Sequence, residues 1–254
     1  MSEIYVLKDK NLTRAAQPSG FEAPPIHPQT NLLAQPEQRL LNWLCKQMPS
    51  ATTPDLLTGI GFVGAVIVFA GYLGSSIHPA FLWLASLGLI VHWFGDSLDG
   101  SLARYRRIER LRYGYFLDHS VDAISISLIL IGFGFCPYIH FELALFAVFG
   151  NLLMCTHEFL FDHVTGNFKK SFFVLGPTEL RIILVVVNFL MYFKCSSSFT
   201  IGHQSFTVYD VALCGGCIFL VYYYIRSVTA AVRWLRREDP LPRGSARVRN
   251  LRLL

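Results

Sequence analysis

Between Asp96 and Asp122 the chain reads DSLDGSLARYRRIERLRYGYFLDHSVD. As spacing this is D-x-x-D-G-x-x-A-R, nine residues, then G-x-x-x-D-x-x-x-D. Wound as helices, Asp96, Asp99, Gly100, Ala103 and Arg104 share one face, and Gly114, Asp118 and Asp122 share a face of the next helix. Four carboxylates at close range stay ionised together only when cations neutralise them. A donor set made of oxygen alone, without Cys or imidazole, favours magnesium or manganese over zinc. Two such ions about 4 Å apart can clamp a diphosphate and stabilise the attacking and leaving oxygens of a phosphoryl displacement. Asp96, Asp99, Asp118 and Asp122 are therefore the expected ligands of two Mg2+ or Mn2+ ions. Gly100 and Ala103 leave room for a ligand against the backbone, and Arg104 can fork onto phosphate oxygens.

The elements that must position these residues are membrane helices. Of 254 residues 53% are hydrophobic and only 15% are charged, which is too apolar for an ordinary soluble domain of this size. Six apolar stretches, centred on 57–74, 79–95, 115–135, 141–160, 177–193 and 208–226, are each long enough to cross a bilayer with some adjustment at the ends. The expected fold is all-α and integral to the membrane, with six transmembrane helices in a domain over 54–232. Before it, Leu40, Leu41, Trp43, Leu44 and Met48 alternate with Glu37, Arg39, Lys46 and Gln47, so 36–53 reads as an amphipathic interfacial helix. Residues 1–35 lack apolar periodicity and read as a flexible cytosolic tail without a signal peptide, and 233–254 read as a basic cytosolic tail.

Basic residues set the expected orientation. Lys and Arg gather before the first stretch, between the second and third, at Lys169 and Lys170, and from Arg226 to Arg252, whereas the opposite connections contribute Lys194. Both termini and the aspartates should then face the cytosol, where a water-borne nucleotide meets a bilayer-borne substrate. The net charge of +5 fits this orientation and anionic lipid; no nucleic-acid partner is expected, because no RNA-binding motif accompanies the basic tail.

The eight residues Asp96, Asp99, Gly100, Ala103, Arg104, Gly114, Asp118 and Asp122 match without a gap the signature of the CDP-alcohol phosphotransferase family, which this chain resembles over roughly residues 54 to 232. The resemblance implies about six helices with the signature on the second and third, a homodimer, and transfer of a phosphate-bearing group from a CDP-linked donor to an alcohol with release of CMP. Gly100, Ala103, Arg104 and Gly114 would form the donor-binding face. Two further elements, D-H-x-x-D at Asp118 to Asp122 and G-P-x-E at Gly176 to Glu179, look like the choline and ethanolamine phosphotransferase branch. There the His and Glu form a pair that takes the proton from the lipid hydroxyl, which implies His119 and Glu179, provided the third and fifth spans touch. Asp122 is the rival base, as in the phosphatidyltransferase branch. Pro54 to Thr58 resembles a P-N-x-x-T element with Asp55 in place of Asn, and no role is assigned to Asp55. The chain departs from the eukaryotic choline and ethanolamine enzymes, which have more spans and a spacer between Arg and Gly one residue shorter.

The favoured reaction is CDP-choline or CDP-ethanolamine with a lipid hydroxyl such as diacylglycerol. The alternative joins CDP-diacylglycerol to a small polar alcohol such as inositol phosphate, glycerol phosphate or serine. An acidic intramembrane cluster is also open to a divalent-cation transporter. Other features read as structural: Cys214-Gly-Gly-Cys217 as close helix packing, the remaining cysteines as free of a required disulfide, and His157, Glu158, Asp162 and His163 as an interfacial patch or a headgroup lining. Arg181 either binds a phosphate or snorkels to the surface.

Overall fold

Pro54 at the first helical position, where its missing N–H costs nothing, and Thr53, whose Oγ1 accepts from Leu56 N at 3.2 Å, start the first long apolar helix. The computed structural model describes residues 33–165, 176–194, 198–201 and 204–239. In chain order these form α1 (Ala34–Gln47), α2 (Pro54–Ser75), α3 (Phe81–Arg106), α4 (Leu111–Gly134), α5 (Phe141–Thr165), α6 (Pro177–Tyr192), β1 (Ser198–Ile201), β2 (Gln204–Thr207) and α7 (Val208–Glu238). The tail through residue 32, Lys169, Lys170, Cys195 and the basic residues from Arg243 onward lie outside the described residues.

Five helices, α2, α3, α4, α5 and α7, are long and apolar enough to cross a membrane, which makes this a multi-pass integral membrane protein. The sixth expected stretch is the helix α6, but with 16 residues it rises only about 24 Å, less than a bilayer core of about 30 Å. It runs beside the first half of α3, from Asp96 back to Trp83. Its first turn lies beside the α1 and α3 residues Glu37 and Trp93, and at its other end the ring of Tyr192 stands 5.4 Å from that of Trp83. The expected all-α fold also gains an antiparallel hairpin, β1 with β2, in the register Ser198↔Thr207 to Ile201↔Gln204. Phe199, Thr200, Ile201, Phe206 and Thr207 are β-branched or aromatic, and the paired rings of Phe199 and Phe206 stack at 6.1 Å.

The α2 and α3 helices pack most intimately because glycines line their seam. A Cβ on Gly64 or Gly95 would fall on the backbone of His92 or Gly61, and one on Gly88 would meet Val68 at 2.7 Å. Lipid tails are as apolar as side chains, so close backbone approach, rather than water exclusion, holds such helices together. Around this seam Ala65, Val68, Tyr72, Leu82, Ala85 and Leu89 are buried with Ile129 and Phe133 of α4. The α4 helix packs on α2 and α5, α5 on α7, and α6 on α3. Large apolar side chains elsewhere, among them Phe116, Phe146, Phe149 and Ile218, point outward, as lipid-facing residues do.

Gly215 and Gly216 do not mediate the close packing expected of them, since a Cβ at either would meet open space. The five described cysteines are free thiols, and burial pushes that of Cys45 on α1 above its ordinary pKa. The stretch expected as an interfacial helix contains the helix α1, which buries Leu41 and Cys45 against Leu98 and Leu102 of α3 and leaves Trp43 exposed. At the opposite end, Asp210 closes a capping box with Thr207 and accepts from His140 N at 2.8 Å, tying the start of α7 to the α4–α5 turn.

Candidate functional site

Arg107 takes a left-handed conformation, φ 56°, and ends α3; four residues later Leu111 starts α4. The nine-residue spacer is thus the end of one helix, a short turn and the start of the next, and it folds the two halves of the aspartate pattern face to face. Arg106 fixes this end by donating to Pro49 O at 2.7 Å and Thr52 O at 2.5 Å in the link that precedes α2.

All eight signature residues line one cavity of about 420 Å³ between α2, α3 and α4. Its volume falls in the range of small-molecule sites. At its wall the carboxylates of Asp96, Asp118 and Asp122 each place an oxygen within 4.8 Å of the others. This all-oxygen donor set fits a hard divalent cation. Asp99 is held apart from that trio: Thr58 Oγ1 donates to its Oδ2 at 2.6 Å and Gly100 N to its Oδ1 at 2.5 Å. Thr58 belongs to the P-x-x-x-T stretch at the start of α2, so that stretch orients a carboxylate of the signature. Gly114 borders open space, and the Cβ that Gly100 lacks would stand 3.3 Å from Arg104 Nη1. At the mouth, Asp55 binds Arg110 at 2.5 Å and accepts from Tyr113 Oη at 3.3 Å; its hydrogen bond raises the Arg110 guanidinium above its ordinary pKa.

Arg181 does not snorkel. It is 11% exposed, and its Nη2 donates to Asp96 Oδ2, which brings α6 to the cluster; its Nη1 has no hydrogen-bond partner among the described residues. A cation inside an apolar stretch is the sequence signal for such a residue, but its partner follows only from the packing of α6 on α3. His119 lies on the other side of α4. Its ring lies 4.0 Å from that of Tyr115, tilted by 32°, with Nδ1 at 3.4 Å from Asp118, and the carboxylates of Glu158 and Asp162 act on it from α5. Glu179 sits in the first turn of α6, which packs on α3, so His119 and Glu179 are carried on helices that face different neighbours. The cavity is lined by Asp122 but by neither His119 nor Glu179.

The expected interfacial patch on α5 is instead largely internal. Asp162 is buried and accepts from Tyr115 Oη at 2.6 Å, and His157 Nε2 meets Ser227 Oγ of α7 at 2.7 Å. Sequence reasoning assigned no contact to Glu37. Its Oε1 accepts from Trp93 Nε1 at 2.9 Å and from Thr178 Oγ1 at 2.6 Å.

The fold and site define a membrane protein of the CDP-alcohol phosphatidyltransferase family, to which the chain belongs: the family's model matches residues 51–231. It is similar to cholinephosphotransferase 1 of Danio rerio, 27% identical over 211 residues that cover 76% of this chain and 53% of that protein. It is also similar to archaetidylinositol phosphate synthase of Methanothermobacter thermautotrophicus, 38% identical over 82 residues that cover 32% of this chain and 39% of that protein. A guanidinium exporter of Salmonella typhimurium matches over 52 residues at 50% identity, 20% of this chain and 48% of that protein. The chain spans about half the length, or less, of these curated relatives.

Proposed function

We propose that this chain is a membrane phosphotransferase that moves a phospho-alcohol group from a CDP-linked donor to an alcohol and releases CMP. The observation that carries the reading is the gathering of all eight signature residues on one cavity whose wall holds three clustered carboxylates. Asp96, Asp118 and Asp122, with Asp99 held ready by Thr58 and Gly100, would hold two Mg2+ or Mn2+ ions. Such ions, when bound, neutralise the diphosphate and polarise the bond that breaks. Gly100, Ala103 and Gly114 offer a surface without bulk on which the CDP moiety lies, and Arg104 donates to its phosphate oxygens.

The favoured donor is CDP-choline or CDP-ethanolamine and the acceptor a lipid hydroxyl such as diacylglycerol. The likeness to a cholinephosphotransferase over three quarters of the chain supports this. A second reading, CDP-diacylglycerol with a small polar alcohol, is favoured by buried Arg181 beside Asp96, a cation suited to a phosphate-bearing acceptor, and by the likeness to archaetidylinositol phosphate synthase. The proton of the acceptor hydroxyl goes to Asp122 on the cavity wall or to His119 on the same helix, the latter oriented by Glu179 in the favoured branch. In the same reading α6, which runs beside α3 from Asp96 to Trp83, is the sixth crossing, and the homodimer, the cytosolic site and the cytosolic termini belong to it too.

The test is CMP release by purified protein in lipid with Mg2+, comparing CDP-choline, CDP-ethanolamine and CDP-diacylglycerol against diacylglycerol and a panel of polar alcohols, with Asp118→Asn as the blank. Release from a water-soluble donor that requires diacylglycerol selects the first reading and makes Glu179→Gln the next variant. Release only from CDP-diacylglycerol selects the second and makes Asp122→Asn decisive. Metal flux into liposomes without any nucleotide, and no CMP from any donor, would return the divalent-cation transporter.

A further inference from the structure

Leu184, Val185, Val187 and Tyr192 of α6 pack against the core, and Phe189 and Tyr192 meet the ring of Trp83. Of the sixteen residues of α6 Asn188 and Met191 are buried, and among the described residues three of its side chains reach the neighbouring helices through N–H or O–H donors. Asn188 Nδ2 donates to Ser86 Oγ at 3.1 Å, Arg181 pairs with Asp96, and Thr178 Oγ1 donates to Glu37. Thr178 and Arg181 are three apart and so lie on one face of α6. Their partners are a carboxylate of α3 and a carboxylate that α1 lays across α3.

We infer that Glu37 is a positioning residue: bonded to Trp93 of α3 and Thr178 of α6, it fixes the first turn of α6 so that Arg181 is presented to the aspartate cluster. Three features support this. The N-cap of α6 is Gly176, which supplies no side-chain cap, and an anion beside the first turn of a helix meets the positive end of its dipole. Glu37 Oε1 takes both hydrogen bonds, at 2.9 Å from the indole and 2.6 Å from the hydroxyl, so one side chain sets the distance between α3 and α6 at this level. Ser97, whose Oγ lies 3.5 Å from the same oxygen, follows Asp96 directly and lines the cavity, so the clamp is one residue from a proposed metal ligand. The interfacial helix is then part of the site's scaffold, and Glu179 is carried by the same turn.

The catalytic consequence rests on the proposed phosphotransferase reading, whereas the placement of α6 does not, and the experiment separates them. Full-length protein in lipid is compared as wild type, Glu37→Gln, Glu37→Ala, Thr178→Val and the Glu37→Ala/Thr178→Val double variant, by amide hydrogen exchange and by CMP release. Expected for Glu37→Ala is about tenfold faster exchange in the first turn of α6 with α2 and α4 unchanged, and about a tenfold loss of kcat/KM, the loss of a hydrogen-bonded charged partner. Glu37→Gln, which keeps both acceptor contacts, should restore most of both. The double variant should be no worse than Glu37→Ala alone, because both remove one coupling. Unchanged α6 exchange in Glu37→Ala, or strictly additive losses in the double variant, would overturn the inference even if CMP release is robust. No CMP release from wild type would sink the phosphotransferase reading and leave the exchange comparison to decide the clamp. Should Glu37→Ala not assemble, Thr178→Val, which keeps the Glu37 to Trp93 bond, must show the faster α6 exchange alone.

Discussion

Asp99 differs from its three partners in already having both carboxylate oxygens engaged, by Thr58 and by the amide of Gly100. A buried carboxylate with fixed partners keeps one rotamer, so its remaining lone pairs point in a fixed direction; Asp96 gains the same restraint from Arg181. On the phosphotransferase reading, Thr58→Val should lower kcat/KM for CMP release about tenfold, and Thr58→Ser should retain most of it, since the hydroxyl rather than the methyl orients Asp99. A Thr58→Val enzyme as active as wild type would show that Asp99 needs no such restraint. Thr58 stands out little by itself, because a Thr four residues after Pro54 also suits an ordinary helix start.

At the scale of elements, the site depends on how closely α2 and α3 approach. Gly64, Gly88 and Gly95 have no space for a Cβ, whereas Gly59 on the exposed face of the same α2 has nothing within 4 Å. Gly95→Leu should leave no monodisperse folded protein in detergent. Gly59→Ala should raise thermal stability by up to about 1 kcal/mol, the difference in helix propensity. Size-exclusion profiles and melting curves of the two variants check this. The contrast separates packing from propensity, and equal behaviour of the two would mean that the seam is looser than these contacts imply. The outcome matters for the site because Leu57 and Thr58 of α2 are brought to Leu98 and Asp99 of α3 by that seam.

For the whole molecule, the question is orientation. The α3–α4 turn and the helix ends beside it carry Arg104, Arg106, Arg107, Arg110 and Arg112, while the α2–α3 turn, where Ile77 is 84% exposed, carries no Lys or Arg. With the six native cysteines replaced, a thiol at Glu109→Cys should react with a membrane-impermeant maleimide only from the cytosolic side. A thiol at Ile77→Cys should react only from the other side. The reverse pattern would place the cavity mouth opposite the cytosolic nucleotide pool and so remove the proposed donor's access.

The aspartate pattern was legible in the sequence because a three- and four-residue periodicity puts side chains on one helix face wherever the helix ends up. Apolar stretches of membrane length announced the five membrane-length helices for an equally local reason. The sequence did not disclose the pairing of β1 with β2, whose strands are four residues each, or the length of α6, which ends at Tyr192. Nor could it say which side chains of α1, α5 and α6 meet residues of α3 and α4. The spacing placed His119 one residue from Asp118, yet whether it faces Glu179 or the α5 carboxylates depends on which helices lie next to α4. Arg181 and Glu37 likewise acquired partners 85 and 141 residues away. Sequence periodicity fixes which residues share a face, whereas the pairing of faces is decided by interhelical packing among glycines and buried polar groups, and this only the tertiary structure supplies.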